Sequence, residues 1–366
     1  MKAIHRSKLV RTVMVGVVAL GVALAVPGAA EAKDKRELTV MSRNIYLGSS
    51  LNPALVAQTP AEFVGAVAEI YGTMLFTNFP ARAQALADEI DAANPDLIGL
   101  QEVSRWTVTK VGNQAATAPS VDFLSILQQA LAARGLHYEV AAVSNTANIG
   151  PVPLVTVPSL GCNNPLPPLP DCVVSLQDRD VILVNSDTPG LAWSNSRNGL
   201  FNAQAVLTTP VGELSFDRGW TSIDATFQGK KVRFVNSHFE TEDAPAVQEA
   251  QAAEFLAGPA RPTGAVIAVG DFNSAADGST TTSYAQLTGP YTDAWVVSGN
   301  GMGLTCCQNG TLTNYPPDLN SRIDLVLFRG PVRGMSATVV GAEPFQSAPP
   351  LYASDHAGVT ATVRLH

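Results

Sequence analysis

Residues 265–273 read Ala-Val-Ile-Ala-Val-Gly-Asp-Phe-Asn, five apolar positions followed by a glycine and then an aspartate and an asparagine around a phenylalanine. A short uninterrupted apolar run reads as a buried strand. The polar residues at its end have no structural reason to be there. The same pattern recurs: Leu38-Thr39-Val40-Met41 runs into Ser42-Arg43-Asn44, Leu97-Ile98-Gly99-Leu100 into Gln101-Glu102, and Val232-Arg233-Phe234-Val235 into Asn236-Ser237-His238. Carboxylates, amides and imidazoles at successive strand ends would converge on one rim of a sheet sandwich. Hard oxygen ligands in such a place suit Mg²⁺, Mn²⁺ or Ca²⁺ and not zinc, and these cations commonly serve phosphates.

Strand and helix signals alternate around these runs. Pro60 to Phe79 holds helical material, and from Ala81 to Asn94 the residues Ala83, Leu86, Ala87 and Ile90 form one apolar helical face, stopped by Asn94-Pro95. Leu124, Leu127 and Leu131 mark a helix ending near Gly135, and Pro245 opens an Ala-rich helix to about Ala257. Tyr138–Val143 and Asp180–Asn185 read as strands separated by a Pro-rich, apolar loop over 145–173. Alternation at Ile223, Ala225 and Phe227, and again at Val232, Phe234 and Asn236, predicts a hairpin about Gln228-Gly229-Lys230. With Ile323–Phe328, Ala337–Val340 and Val359–Leu365, roughly ten strands and a few helices result, an α/β arrangement of two packed sheets with helices outside.

The polar pieces, in order, are Ser-Arg-Asn at 42–44, Gln101-Glu102, Asn236-Ser237-His238, Gly270-Asp271-Phe272-Asn273, Arg322-Ile323-Asp324 and Ser354-Asp355-His356. This series resembles the endonuclease/exonuclease/phosphatase superfamily, the DNase I-like group, and with flanking strands it spans residues 38–365. The resemblance implies a four-layered α/β/β/α sandwich of two mixed sheets, formed as one domain over residues 33–366. It implies Glu102 as the principal ligand of a divalent cation (Mg²⁺, or Mn²⁺ or Ca²⁺), with Asn44 beside it binding metal or phosphate and Asp355 as a second acidic group at the metal. It implies Asp271 as the residue that orients the attacking water and Asn273 as a phosphate-oxygen contact. His356, held by Asp324, would be the essential imidazole, and His238 the one that contacts phosphate or protonates the leaving oxygen. Together these would supply the positioned water, neutralising cation and proton that phosphate-ester hydrolysis needs. The family's mid-chain Tyr or Arg phosphate contact has no secure match; Arg179 is the candidate, against a plain surface ion pair.

Lys2, Arg6, Lys8 and Arg11 precede an uncharged apolar run of 14 residues, Val13 to Val26, and Ala30-Glu31-Ala32 offers a cleavage site. Residues 1–32 thus read as a secretory signal peptide, since the run is shorter than the roughly 20 residues of a spanning helix. A soluble, secreted mature chain is expected. Cleavage would leave 19 basic against 30 acidic residues, a net charge of −11. This charge argues against a broad basic footprint for nucleic acid, although bound cations can invert the local field. Cys162, Cys172, Cys306 and Cys307 allow three pairings, which spacing does not choose among. A zinc site is the weaker reading, because no histidine lies near either pair in sequence and adjacent cysteines chelate poorly.

The resemblance fixes the reaction more closely than the substrate. The expectation is a secreted, metal-dependent phosphodiesterase, monomeric, either sphingomyelinase-like on phospholipid or a DNase I-like nuclease. The apolar 145–173 loop would give peripheral membrane contact in the first case, unless it folds back on the sandwich. A catalytically silent binding protein on the same scaffold is the remaining alternative.

Overall fold

The structure is a computed structural model and describes residues 36–112, 120–154, 161–164, 170–261 and 264–366. The leader expected at 1–32 lies outside them. β1 (Glu37–Asn44) is followed by α1 (Asn52–Val56), α2 (Pro60–Phe76) and α3 (Phe79–Ala93), which return the chain to β2 (Leu97–Gln101). β1 and β2 are therefore parallel neighbours joined by a helical crossover. Then come β3 (Arg105–Lys110), β4 (Val121–Asp122), α4 (Phe123–Ala132), β5 (Tyr138–Pro153) and β6 (Cys172–Asn185). The next strands are β7 (Leu191–Leu200), β8 (Val206–Thr209), β9 (Gly212–Ser215), β10 (Gly219–Phe227) and β11 (Lys230–His238). After α5 (Pro245–Ala257) follow β12 (Ala265–Asp271), α6 (Ser283–Thr288), β13 (Thr292–Asp293), α7 (Ala294–Ser298) and β14 (Asp324–Arg329). β15 (Val332–Val340), β16 (Gln346–Ser347), β17 (Pro350–Leu351) and β18 (Gly358–Leu365) end the chain.

One sheet runs β15-β18-β1-β2-β6-β3-β4, with β5 also paired to β6; the other runs β13-β14-β12-β11-β10-β7. The apolar run at 265 needs no alternation because both its faces are covered. Ile267 and Val269 point between the sheets with Val40, Leu97, Ile182 and Phe234, whereas Val266 and Ala268 face outward under Phe255 of α5. On the outside of the first sheet, Ile98 and Leu100 pack under α2, α3 and α4 through Phe63, Leu86 and Leu127. The layer order is helix, sheet, sheet, helix, as the resemblance implied. No helix among the described residues is long and apolar enough to cross a membrane.

Helix ends follow local chemistry. Thr59 accepts the Glu62 amide at 3.2 Å with Pro60 in the first turn of α2, and Asp122 accepts the Leu124 amide at 3.1 Å at the start of α4. Gly99 lies where the sheets approach closely: a Cβ there would run into Val269 Cγ2 and stand 2.7 Å from Asn236 Oδ1. Through this gap Gln101 Nε2 donates to Asn236 Oδ1 at 2.6 Å and Asn236 Nδ2 to Leu100 O at 2.9 Å. Gln101 and Asn236 thus clamp the sheets together.

Two features differ from the sequence reading, and a third, the cysteine pairing it left open, is settled. The 145–173 segment is not all loop: β5 continues to Pro153, where Val152 and Pro153 pair with Val174 and Val173 of β6. Leu154, Cys162 and Cys172 are buried, Ile149 and Val152 pack half-buried against the same core, and Pro151 is exposed, while 155–160 and 165–169 lie outside the described residues. β7 has no apolar alternation because it is an edge strand with a mostly exposed polar sequence. The cysteines pair Cys162–Cys172 and Cys306–Cys307.

Candidate active site

Strand register gathers the polar ends. β11 and β12 are parallel with His238 opposite Asp271, and β12 and β14 are antiparallel with Asp271 opposite Asp324, so these three residues form one row across adjacent strands. In the other sheet Asn44 is opposite Gln101, one residue before Glu102. Two buried arginines bring the Ser354–His356 turn to the same rim. Arg82 Nη1 donates to Ile45 O at 2.7 Å and to Ala353 O at 2.9 Å, and Arg43 Nη1 donates to the His356 carbonyl while its Nε meets Glu89 at 2.9 Å.

The side chains then meet. Asn44 Nδ2 donates to Glu102 Oε1 at 3.0 Å and to Asp271 Oδ2 at 3.1 Å, joining the two sheets' carboxylates. Glu102 also accepts the Leu47 amide at 2.7 Å, and its φ of +57° is a left-handed conformation that L residues adopt at a cost, often at functional sites. His356 Nδ1 lies 2.8 Å from Asp324 Oδ2, and its Nε2 lies 3.7 Å from Asp271 Oδ2. His238 Nε2 is 3.4 Å from the same Asp271 oxygen and 3.1 Å from Asn273 Nδ2. Asp271 Oδ1 accepts the Asn273 amide at 3.0 Å, so the Asx turn and the site contact coexist.

Electrostatics separates the two histidines. Burial disfavours charge on His356, but the carboxylates of Asp324, Asp271 and Asp355 outweigh it and hold the imidazole well above its ordinary range. Burial, Arg218 and His356 push His238 well below it. The surroundings thus favour the charged form of one ring and the neutral form of the other, the division of roles that acid–base sites exploit. Burial, with Asp324 adding and His356 opposing, lifts Asp271 to about 6. Asp355 is lifted to about 7 by burial and then by Glu102 and Asp271, against His356 and Arg82.

Arg179, expected at the phosphate, faces elsewhere. It donates to Asp122 Oδ1 at 2.6 Å and to Val103 O at 2.8 Å, fastening the turn after Glu102 to α4. Strand alternation puts its neighbours on the opposite face: Asp178, which accepts from Ser104 Oγ at 2.6 Å, and Asp180, whose two oxygens find no partner among the described residues. The guanidinium that does reach the cluster is Arg218. Its Nη1 is 3.1 Å from both nitrogens of His238, and its Nη2 is 3.4 Å from Glu240. Arg218 precedes a strand in a polar, glycine-bounded stretch, and nothing in that local pattern singles it out.

Glu102, Asp271 and Asp355 offer carboxylate oxygens, and Glu102 and Asp271 both raise the Asp355 carboxyl, which is the environment a hard divalent cation relieves; Asn44 turns its Nδ2 to these carboxylates while its Oδ1 accepts the Tyr46 amide at 2.9 Å. The chemistry of these carboxylates suits a divalent cation, for which Glu102 and Asp355 are the candidate ligands, with Asn44 positioned to fix Glu102 and Asp271. Asp271, Asp324 and His356 also lie within ligating distance of one another, but the His356–Asp324 hydrogen bond already engages two of them.

The fold matches a protein from Leptotrichia buccalis with a TM-score of 0.55 at 15% identity, over 90% of this chain and 100% of that one. A Bacteroides thetaiotaomicron protein matches with 0.53 at 14%, over 90% and 98%. Both carry the name endonuclease/exonuclease/phosphatase family protein. D. rerio TDP2, complexed with single-strand DNA product, matches with 0.53 at 15%, over 90% and 99%. No curated protein matches the chain in sequence. The model of the endonuclease/exonuclease/phosphatase family matches residues 74–356, and the chain belongs to that family.

Proposed function

We propose that this chain is an exported phosphodiesterase that hydrolyses phosphate diesters with a divalent cation, Mg²⁺ in the first instance, and that its substrate is nucleic acid. The observation that carries the reaction is the single buried row of His238, Asp271 and Asp324 across β11, β12 and β14, closed by His356 at 2.8 Å from Asp324. Held by Glu102 and Asp355, with Asn44 fixing Glu102 beside it, the cation would neutralise phosphate oxygens and lower the pKa of water. Asp271, fixed by Asn44 and the Asn273 amide, accepts the proton of the attacking water. The His356 imidazolium, oriented by Asp324, faces the phosphate through Nε2 and stabilises the charge that develops there. Asn273 Nδ2 and Arg218 take phosphate oxygens, and His238, neutral between them, keeps both donors aimed.

Nucleic acid is favoured over phospholipid on two grounds. The zebrafish relative of this fold holds a DNA product. Of the described apolar residues that suggested a membrane loop, Leu154 is buried and Val152 is half-buried against the same core, which leaves less apolar surface for a bilayer. The proposal of export rests on the residue 1–32 pattern and on the two disulfides. Assaying the purified protein with Mg²⁺ on single- and double-stranded DNA, RNA and sphingomyelin vesicles tests it. Cleavage of DNA or RNA is expected; turnover of sphingomyelin alone would reassign the substrate, and turnover of none would leave a binding protein.

A further inference from the structure

Cys306 and Cys307 are bonded to each other, and both sulfurs stand 3.8 Å from Nε2 of His356. That nitrogen is the free one, because Nδ1 is held by Asp324. The backbone carrying the sulfurs is pinned on both sides of the ring. Gln308 N–H donates to Asp355 O at 2.8 Å, and Ala357 N–H donates to Thr305 O at 2.7 Å. Thr305 Oγ1 in turn accepts the Ile323 and Asp324 amides, each at 3.2 Å. These bonds do not involve sulfur, so they keep residues 306 and 307 beside the imidazole whether or not the disulfide is intact.

Adjacency in sequence gave this pair little promise as chelators, and no histidine is near them along the chain. Folding aims both sulfurs at one ring nitrogen. A tetrahedral zinc with Zn–S of about 2.3 Å and Zn–N of about 2.0–2.1 Å holds its sulfur and nitrogen ligands roughly 3.6 Å apart. The observed 3.8 Å is close to that edge. As a disulfide the sulfurs carry no charge for a soft cation; as thiols they do.

We propose that Cys306, Cys307 and His356 form a redox-gated site for a thiophilic divalent cation of the zinc type, and that filling it withdraws His356 from catalysis. A dithiol reductant opens the gate: its two thiol protons and two electrons pass to the cysteine sulfurs, the Cys306–Cys307 bond breaks, and the reductant leaves as its own disulfide. The metal then binds as each thiol, and Nε2 where it carries one, releases its proton to solvent. Reoxidation reverses the capture, so the protein is silent while reducing conditions and zinc persist and is released where disulfides form. The inhibitory half rests on the function proposed above; the metal site does not.

Co²⁺ serves as the spectroscopic probe and Zn²⁺ as its competitor, on protein reduced with a phosphine that is removed before titration. Reduced wild-type protein is expected to give a sulfur-to-cobalt charge-transfer band saturating at one equivalent and abolished by Zn²⁺, whereas oxidised protein gives none. Reduced Cys306→Ser/Cys307→Ser protein, which retains the Cys162 and Cys172 thiols, should lack the band, as should either single variant in large part. His356→Ala should weaken cobalt binding by no less than the roughly tenfold that losing an outer partner of a ligand costs. No sulfur band in reduced wild type, the same band in the double variant, or unchanged affinity in His356→Ala overturns the site. Zn²⁺ should also stop phosphodiester turnover by reduced protein and leave oxidised protein active. Full turnover by zinc-saturated reduced protein overturns the inhibition. A sulfur band in protein that turns over nothing when oxidised supports the site and counts against the proposed function alone.

Discussion

His356 Nδ1 and Asp324 Oδ2 are 2.8 Å apart, both side chains are buried, and Asp324 sits directly opposite Asp271 on the neighbouring strand. One carboxylate thus orients the ring while the other faces its free nitrogen.

Asp324→Asn removes the charge that holds His356 well above the ordinary imidazole range. Because the raised group is active when protonated, activity persists below its pKa and falls as pH rises through it. The variant should therefore lose activity at lower pH than wild type and lose about 10⁴-fold in kcat at neutral pH, the size of effect seen when an Asp–His pair is broken in this way. A pH–rate profile with the same upper limb as wild type would contradict the pairing.

Arg218 and Arg179 are separable by kinetics and stability. Arg218→Lys keeps a charge beside Glu240 but loses the planar fork at His238, and kcat/KM should fall about 10²-fold, as for loss of one preorganised donor. Arg179→Ala frees Asp122 and the turn at Val103, so its first consequence should be a lower Tm. The reverse pattern, Arg179→Ala folded but inactive and Arg218→Lys unaffected, would return the phosphate contact to Arg179.

Much of the site is legible in sequence because strand ends are local patterns. Apolar runs that stop at Asn44, Glu102, His238 and Asp271 mark both the sheets and their shared rim, and the order of the pieces carries the family resemblance that implies the layers. What local pattern does not carry is which way a polar residue on a long strand faces. Asp178, Arg179 and Asp180 alternate across β6, and only pairing with β3 and β5 decides that the arginine points away and the aspartates inward. Arg218 and the Cys306–Cys307 pair escape for another reason: their partners, His238 and His356, are 20 and about 50 residues away, so their meaning is tertiary.

Asp178 supplies a pH test of stability. Burial and Glu102 lift its carboxyl from 3.8 to about 6. A carboxyl raised on folding favours the native state below its unfolded pKa, and that contribution is lost as pH rises through the folded value. Asp178→Asn cannot ionise, so with chelator present its stability should exceed wild type by about 3 kcal/mol at pH 8, and the gap should close toward pH 4. Denaturant melts across this range measure it, and a gap constant with pH would show that Asp178 is not the titrating group.

Gly270 sits between Val269 and Asp271, and a Cβ there would run into the Ser237 carbonyl of the parallel strand β11. Backbone cannot yield as a flexible side chain can. Gly270→Ala should cost about 1–3 kcal/mol or more by overpacking. It should also spread His238 from Asp271 and so reduce activity in the fraction that remains folded. Wild-type stability by chemical denaturation would contradict the close approach.

The most direct measurement is hydrolysis of bis(p-nitrophenyl) phosphate by wild type, Glu102→Gln and His356→Ala, each confirmed as folded, with Mg²⁺ and with chelator. Wild type should turn over only with the cation, and each variant should fall by about 10²–10⁴-fold without a matching loss of Tm. A folded His356→Ala protein that hydrolyses the diester at the wild-type rate would contradict the assignment of the chemistry to this cluster.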